Sequence, residues 1–213
     1  LINNDGPDAI SGTFDSVSIS DPDYTVNYFG GDGNDLVLVP LNGTVVEWDN
    51  GVGNGNWNAA GNWKPNVKPV TNGIAYIDST YDAAGLCKVA AADQLASRVL
   101  LSFLGGANES PATLRVLNGK TLTLTNSAQL MVGYNGAGGA TGTVNQTDGN
   151  LINYGTIRIG NFESSIGVYN LYAGTNETFN LRVGYHQGAL QTAQGTYNVL
   201  GEAVLKVNDY VAL

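Results

Sequence analysis

The chain has one cysteine, one histidine and one methionine in 213 residues. A lone cysteine, Cys87, excludes a disulfide framework and any paired-thiolate metal site. It is expected as a small buried hydrophobe. A lone histidine, His186, excludes a site built on two imidazoles and leaves a Ser-His-Asp relay without partners. Its place after Gly184-Tyr185 reads as a solvated loop. Basic residues number 9 against 18 acidic ones, for a net charge of −9. So few cations cannot neutralise a row of phosphates, which argues against nucleic acid and against electrostatic binding to anionic lipid. No apolar run approaches the ~20 residues that span a bilayer, so membrane insertion is not expected. The longest, Val99 to Leu104, is broken by Ser102. Sustained helical periodicity is also missing. Only Tyr81 to Leu95, rich in alanine, offers a short helix or cap.

What is abundant is glycine, at 29 residues, alongside an ordinary 43% of hydrophobics. That combination suits a turn-rich all-β chain with a core. A short motif then recurs: an apolar residue, any residue, an apolar residue, and a turn former. The copies are Ala75-Tyr76-Ile77-Asp78, Ser102-Phe103-Leu104-Gly105, Leu130-Met131-Val132-Gly133, Ile157-Arg158-Ile159-Gly160, Leu181-Arg182-Val183-Gly184 and Leu205-Lys206-Val207-Asn208. Their closing residues are 27, 28, 27, 24 and 24 apart. Apolar residues at i and i+2 are strand periodicity. Gly, Asn and Asp are the types that most cheaply turn a corner through the left-handed region.

A second motif keeps the same period: Gly142-Thr143-Val144-Asn145, Gly167-Val168-Tyr169-Asn170 and Gly195-Thr196-Tyr197-Asn198. A third strand, such as Asn150-Leu151-Ile152-Asn153, fits the remainder of the period. The pattern predicts a parallel β-helix, a β-solenoid of about 24–28 residues per coil whose rungs stack ~4.8 Å apart. The equivalent Asn145, Asn170 and Asn198 are expected to form an amide ladder along the axis.

Three regions follow. Residues 1–40 read as the end of an upstream β-repeat unit, and residues 41–73 as a Trp/Gly/Asn-rich linker or cap holding Trp48, Trp57 and Trp63. Residues 74–213 read as the solenoid. Starting with Leu1 in polar loop sequence, the chain reads as a mature product or a piece of a longer polypeptide.

Leu1-Ile2-Asn3-Asn4-Asp5-Gly6-Pro7-Asp8-Ala9-Ile10-Ser11-Gly12-Thr13-Phe14, followed by Tyr28-Phe29-Gly30-Gly31-Asp32-Gly33-Asn34-Asp35-Leu36-Val37-Leu38, resembles the closing unit of autotransporter-associated β-strand repeat proteins, which are long secreted or surface-bound bacterial β-solenoids. Gly55-Asn56-Trp57, Gly61-Asn62-Trp63, Pro69 and Ala75-Tyr76-Ile77 resemble the opening of a further module in such proteins. The resemblance covers about a third of the chain. It implies an extracellular structural or adhesive role and carries over no catalytic residues. No outer-membrane barrel of the usual autotransporter plan is evident.

Candidate sites are few. Gly30 to Leu38 fits the calcium-roll nonapeptide, with Asp32 and Asp35 as the ligands a calcium ion would take. Roll sites form between successive copies, and here there is one, so a tight turn explains the same residues. Arg158, Arg182 and Lys206 fall at the outward position of the repeat and make a strip for a neighbouring subunit or an anionic glycan. The aspartates at 78, 82, 93, 148 and 209 do not stack at the period. That argues against the glycosidase or lyase arrangement of clustered acids on one face. Nothing closes the last coil after Leu205 to Asn208, so its edge is expected to be unpaired.

These readings lead to a non-enzymatic extracellular structural protein without a cofactor, self-associating head to tail into a fibre, sheath or surface layer. Trp57 and Trp63 mark one contacting end; Leu205, Val207 and Tyr210 mark the other. The alternative is a carbohydrate-binding or adhesin module that uses the tryptophans or the cationic strip to hold glycans.

Overall fold

The computed structural model describes residues 24–30, 35–40, 45–78, 86–102, 111–134, 141–161, 165–184 and 193–213. Strands β1 (Tyr24–Gly30) and β2 (Asp35–Pro40) form an antiparallel hairpin that is its own two-stranded sheet. The rest is a β-solenoid of about five turns built from two stacks of parallel strands.

One stack has five strands: β6 (Leu86–Val89), β8 (Ala112–Val116), β10 (Thr141–Gln146), β12 (Ile166–Leu171) and β14 (Gln194–Val199). The other begins with β3 (Val45–Trp48), β4 (Trp63–Lys64) and β5 (Ile74–Ile77). It continues through the long strands β7 (Gln94–Leu101), β9 (Thr121–Val132), β11 (Asn150–Ile159) and β13 (Thr175–Val183). It ends in β15 (Val204–Val207) and β16 (Val211–Ala212), which both pair with β13. Each long strand bends where its register shifts, as between Asn153 and Thr156, so one strand supplies two sides of the coil. All three strand segments expected per period are therefore present.

The alternation of buried and outward residues is the sequence's period of two made physical. Val144, Leu151, Ile157 and Ile159 of one coil point inward and are fully buried. At the end of the second limb the backbone turns through the left-handed region at Ser102, Gly133, Gly160 and Gly184, with φ between 59° and 70°.

Two expected copies of the repeat are corrected by the register. The second corner is Val99 to Ser102, not Ser102 to Gly105, because β5 pairs Ala75 with Val99 and Ile77 with Leu101. Leu205 to Asn208 belongs to the first limb, since Leu205 pairs with Asn176. The true continuation of the second limb is Val211-Ala212, opposite Leu181-Arg182. The alanine-rich stretch is not helical where it is described. Leu86–Val89 and Gln94 onward are strands, because ladder pairing with β8 and β9 outweighs a weak helix propensity. Cys87 is fully buried, as expected.

The asparagine ladder is formed. Asn170 Nδ2 donates to Asn145 Oδ1 at 2.9 Å, and Asn198 Nδ2 donates to Asn170 Oδ1 at 2.8 Å. Beneath it, Tyr169 and Tyr197 stack with ring centroids 4.7 Å apart and planes 6° from parallel.

Candidate functional site: a sealed end and an open end

The two ends of the solenoid differ chemically. At the N-terminal end the chain leaves β3, loops through residues 49–62 and returns as β4, antiparallel to β3. The loop is held by asparagine side chains. Asn62 Nδ2 donates to Asn54 Oδ1 at 2.7 Å and to the Asn56 carbonyl at 2.9 Å, while Asn62 Oδ1 accepts from the Val52 N–H. Asn54 Oδ1 also accepts from the Asn56 N–H, and Asn50 Oδ1 from the Gly55 N–H. On β4 the Trp63 N–H donates to the Ala60 carbonyl, the Trp63 carbonyl accepts from the Asn66 N–H, and Pro65 has no N–H. The outward backbone groups of Asn56 and Trp63 thus already have partners.

Beneath this loop lie the three tryptophans, each 0% exposed. Trp63 meets Trp48 and Trp57 edge-on, at centroid distances of 5.0 and 4.8 Å. Its indole N–H donates to the Trp57 carbonyl at 2.7 Å. Rings with no exposed surface cannot stack a sugar. At any contact on this end Trp57 and Trp63 act only by holding the loop above them in shape.

The C-terminal end has no such covering among the described residues. β14 is bonded on one side only, to β12, and β15 and β16 on one side only, to β13. Leu205 and Val207 are half-buried against the core, and Tyr197 joins them. Val199, Leu200, Val204, Tyr210 and Val211 are exposed, and Leu213 is 95% exposed. Exposed apolar side chains grouped in this way are a feature of surfaces that meet another element.

The cationic strip is shorter than the sequence implied. Arg158 and Arg182 are paired across adjacent rungs, but Lys206 lies opposite Glu177 on the first limb. Arg182 is turned toward the last coil. Its Nε donates to the Tyr210 hydroxyl at 2.9 Å, and its guanidinium lies 5.5 Å from the Tyr210 ring centroid. Arg158 Nη1 reaches Asn161 Oδ1 at 3.4 Å. Asp32 and His186 lie outside the described residues, and Asp35 opens β2. Among the described residues no group of three His, Cys, Asp or Glu side chains gathers as metal ligands would.

Near the open end the interior becomes polar, a feature that alternation alone did not signal. Tyr169 donates to Gln146 Oε1 at 2.6 Å. Asn176 interrupts a ladder whose neighbours are Leu151 and Leu205. It is fully buried, and neither polar atom of its amide has a well-formed hydrogen bond among the described residues. An unpartnered buried amide costs about 1–3 kcal/mol. Asn176→Leu should therefore raise the thermal midpoint by several degrees in calorimetry; a lower midpoint would show that the amide has a stabilising partner.

Burial pushes the phenols of Tyr169 and Tyr197 above the ordinary tyrosine value. A group whose folded pKa is raised keeps its contribution below the unfolded value and loses it as pH rises toward the folded one. Stability should thus be flat in this respect up to about pH 10 and fall above it. The Tyr197 hydroxyl has no hydrogen-bond partner among the described residues. Tyr197→Phe should accordingly move the alkaline unfolding midpoint upward, and an unchanged alkaline titration would count against this cause.

The fold defines a class, a parallel β-solenoid of about five turns. Comparison with protein families, curated proteins and solved structures finds no match.

Proposed function

We propose that the chain is a non-enzymatic structural protein of the cell exterior, in which molecules join end to end into a fibre, sheath or surface layer. The observation that supports this reading is the continuous stack of parallel rungs, with Val199, Leu200, Val204 and Val211 exposed on its last described coil. A solenoid grows by adding strands to its edge, and a heterologous contact of that kind does not close, so it makes a filament. The resemblance of residues 1–38 and 55–77 to secreted bacterial solenoids supports the external location.

Removing residues 205–213 tests the reading. Sedimentation of the intact chain should show association that rises with concentration, and the shortened chain should lose it. Persistent association without those residues would place the contact elsewhere. Measurable turnover of pectin-like or alginate-like polymers would overturn the non-enzymatic assignment.

A second reading has one observation in its favour. Tyr154 is 68% and Phe179 48% exposed, and they sit beside the paired Asn153 and Thr178 at the bend of adjacent rungs. Two outward rings at rung spacing could stack sugars, which makes a carbohydrate-binding module the alternative. Saturable glycan binding lost in Tyr154→Ala and Phe179→Ala would favour it. The same test on Trp57 or Trp63 would report folding instead.

A further inference from the structure

The outward face of the five-stranded sheet takes no part in end-to-end contact, yet its chemistry is regular. Strand pairing sets Lys88, Arg115, Asn145, Asn170 and Asn198 in one outward row at successive rungs. A bridge between Asn56 and Lys88 extends the row into the N-terminal loop. Beside it, Thr113, Thr143, Val168 and Thr196 form a second row. Every member of both rows is half-buried or exposed.

None of the five strands contains an aspartate or a glutamate, although the chain has 18 such residues. Beyond the ends of β6 and β10, Asp93 and Asp148 accept the backbone N–H groups of Thr121 and Asn118. Lys88 and Arg115 are stacked on adjacent rungs, and among the described residues neither is joined to a carboxylate. Like charges so placed repel, a cost that an anion set against them removes. The amides also have capacity to spare. Asn170 donates one N–H to Asn145 and accepts one from Asn198. One N–H and one oxygen lone pair of its amide remain.

We propose that this face binds an acidic polysaccharide, a uronate-bearing chain lying along the solenoid axis. Its rungs repeat at ~4.8 Å, close to the length of one extended sugar residue. The threonine hydroxyls and asparagine amides would bond the sugar hydroxyls, while Lys88 and Arg115 would meet carboxylates.

Charge selects this occupant. With a net charge of −9, the chain repels a polyanion over most of its surface, and an acid-free face with two cations is where one can approach. Nucleic acid would need cations against many more phosphates. A protein partner would meet an apolar, aromatic interface core, whereas the tyrosines of this sheet, Tyr169 and Tyr197, point inward. A neutral glycan would leave the two cations without an anion.

The test is isothermal titration calorimetry of the intact chain with polygalacturonate, in a chelator that keeps calcium from gelling the polymer. Saturable binding is expected, and methyl-esterified polymer should bind about tenfold or more weakly. Arg115→Ala and Lys88→Ala should each weaken binding about tenfold, the loss of one charge-assisted hydrogen bond. Thr143→Glu sets a carboxylate on the face and should abolish binding. Thr196→Glu, at an exposed position, is its substitute if circular dichroism shows the first to be unfolded.

Absence of saturable binding by the intact chain would overturn the proposal, as would equal affinity for the esterified polymer. Equal affinity for polyphosphate would reduce the effect to bare charge and overturn the sugar assignment. Binding lost in Tyr154→Ala but kept in Arg115→Ala would place the sugar at the bend instead. The inference does not depend on association of the chain: a protein that binds the polymer and never forms filaments would leave it standing while ending the end-to-end reading.

Discussion

Gly167→Val is expected to abolish folding of the central coils. Gly167 opens the inward face of β12 beside the Gly160 corner that precedes it. A Cβ there would stand 2.3 Å from the Val132 carbonyl oxygen, 2.4 Å from the Gly160 nitrogen and 2.8 Å from Ile159 Cγ2. Two of these atoms are backbone of adjacent rungs and cannot swing aside. The contact repeats along the axis: a Cβ at Gly142 would meet the Gly133 nitrogen at 2.4 Å, and one at Gly195 the Gly184 nitrogen at 2.3 Å. Glycine thus lets the left-handed corner press directly on the strand that follows. Overpacking a site enclosed by backbone belongs to the rare class of substitutions costing more than about 4–5 kcal/mol. That is comparable to the whole stability of many domains. Loss of the β-sheet circular dichroism signal, or recovery of only insoluble chain, is the expected result. Gly119→Ala is the control. Gly119 also has a positive φ, of 64°, but nothing lies within 4 Å of its Cβ position. That change should cost only about 1–2 kcal/mol. Equal stability of Gly167→Val and the parent would show that the corner does not press on β12 as described.

Trp63→Ala is expected to cost about 3–5 kcal/mol, the usual range for emptying a buried aromatic site. The ring is fully buried, meets two other indoles, and ties the returning chain through its N–H to the Trp57 carbonyl. Because each coil of a solenoid contacts only its neighbours, the damage should be local. Hydrogen exchange should accelerate in β3, β5 and β6 while β11 and β12 keep their protection. Unsealing this end should also expose the edge of β3 and promote aggregation. Uniform acceleration throughout would contradict a plug that acts on the first coils alone, and no acceleration would mean that Trp63 holds nothing together.

The axial architecture was legible because the coil repeats its chemistry. Gly142, Gly167 and Gly195 stand in register, as do Asn145, Asn170 and Asn198, and the spacing of these residues alone aligned three rungs. Assignment failed where one coil departed from the others. Ser102 takes the left-handed corner that glycine takes at 133, 160 and 184, so the repeat was placed three residues late there. Leu205-Lys206-Val207-Asn208 has the right alternation, but both limbs of a long strand share that pattern. Only pairing with Asn176 assigns it to the first limb, and this removes Lys206 from the row of Arg158 and Arg182. Tyr81 to Leu95 offers a short helix or cap by its alanine content, yet within it Leu86 to Val89 pairs with Thr113 to Val116, far away in sequence.

The sealing of the first coil was only half readable. Three tryptophans in a loose stretch announced a plug, but the bonds that use up the edge come from Asn50, Asn54 and Asn62 across a loop. No sequence period links those residues. The polar interior around Tyr169 and Asn176 was hidden for a related reason: an inward asparagine in a strand looks like an outward one until its register is known.

The most direct test of the account is electron microscopy of the intact chain at high concentration. Molecules joined end to end should appear as unbranched filaments. Their axial repeat should be roughly 40 Å, the height of the eight-strand stack. Discrete particles one molecule long at every concentration would contradict it.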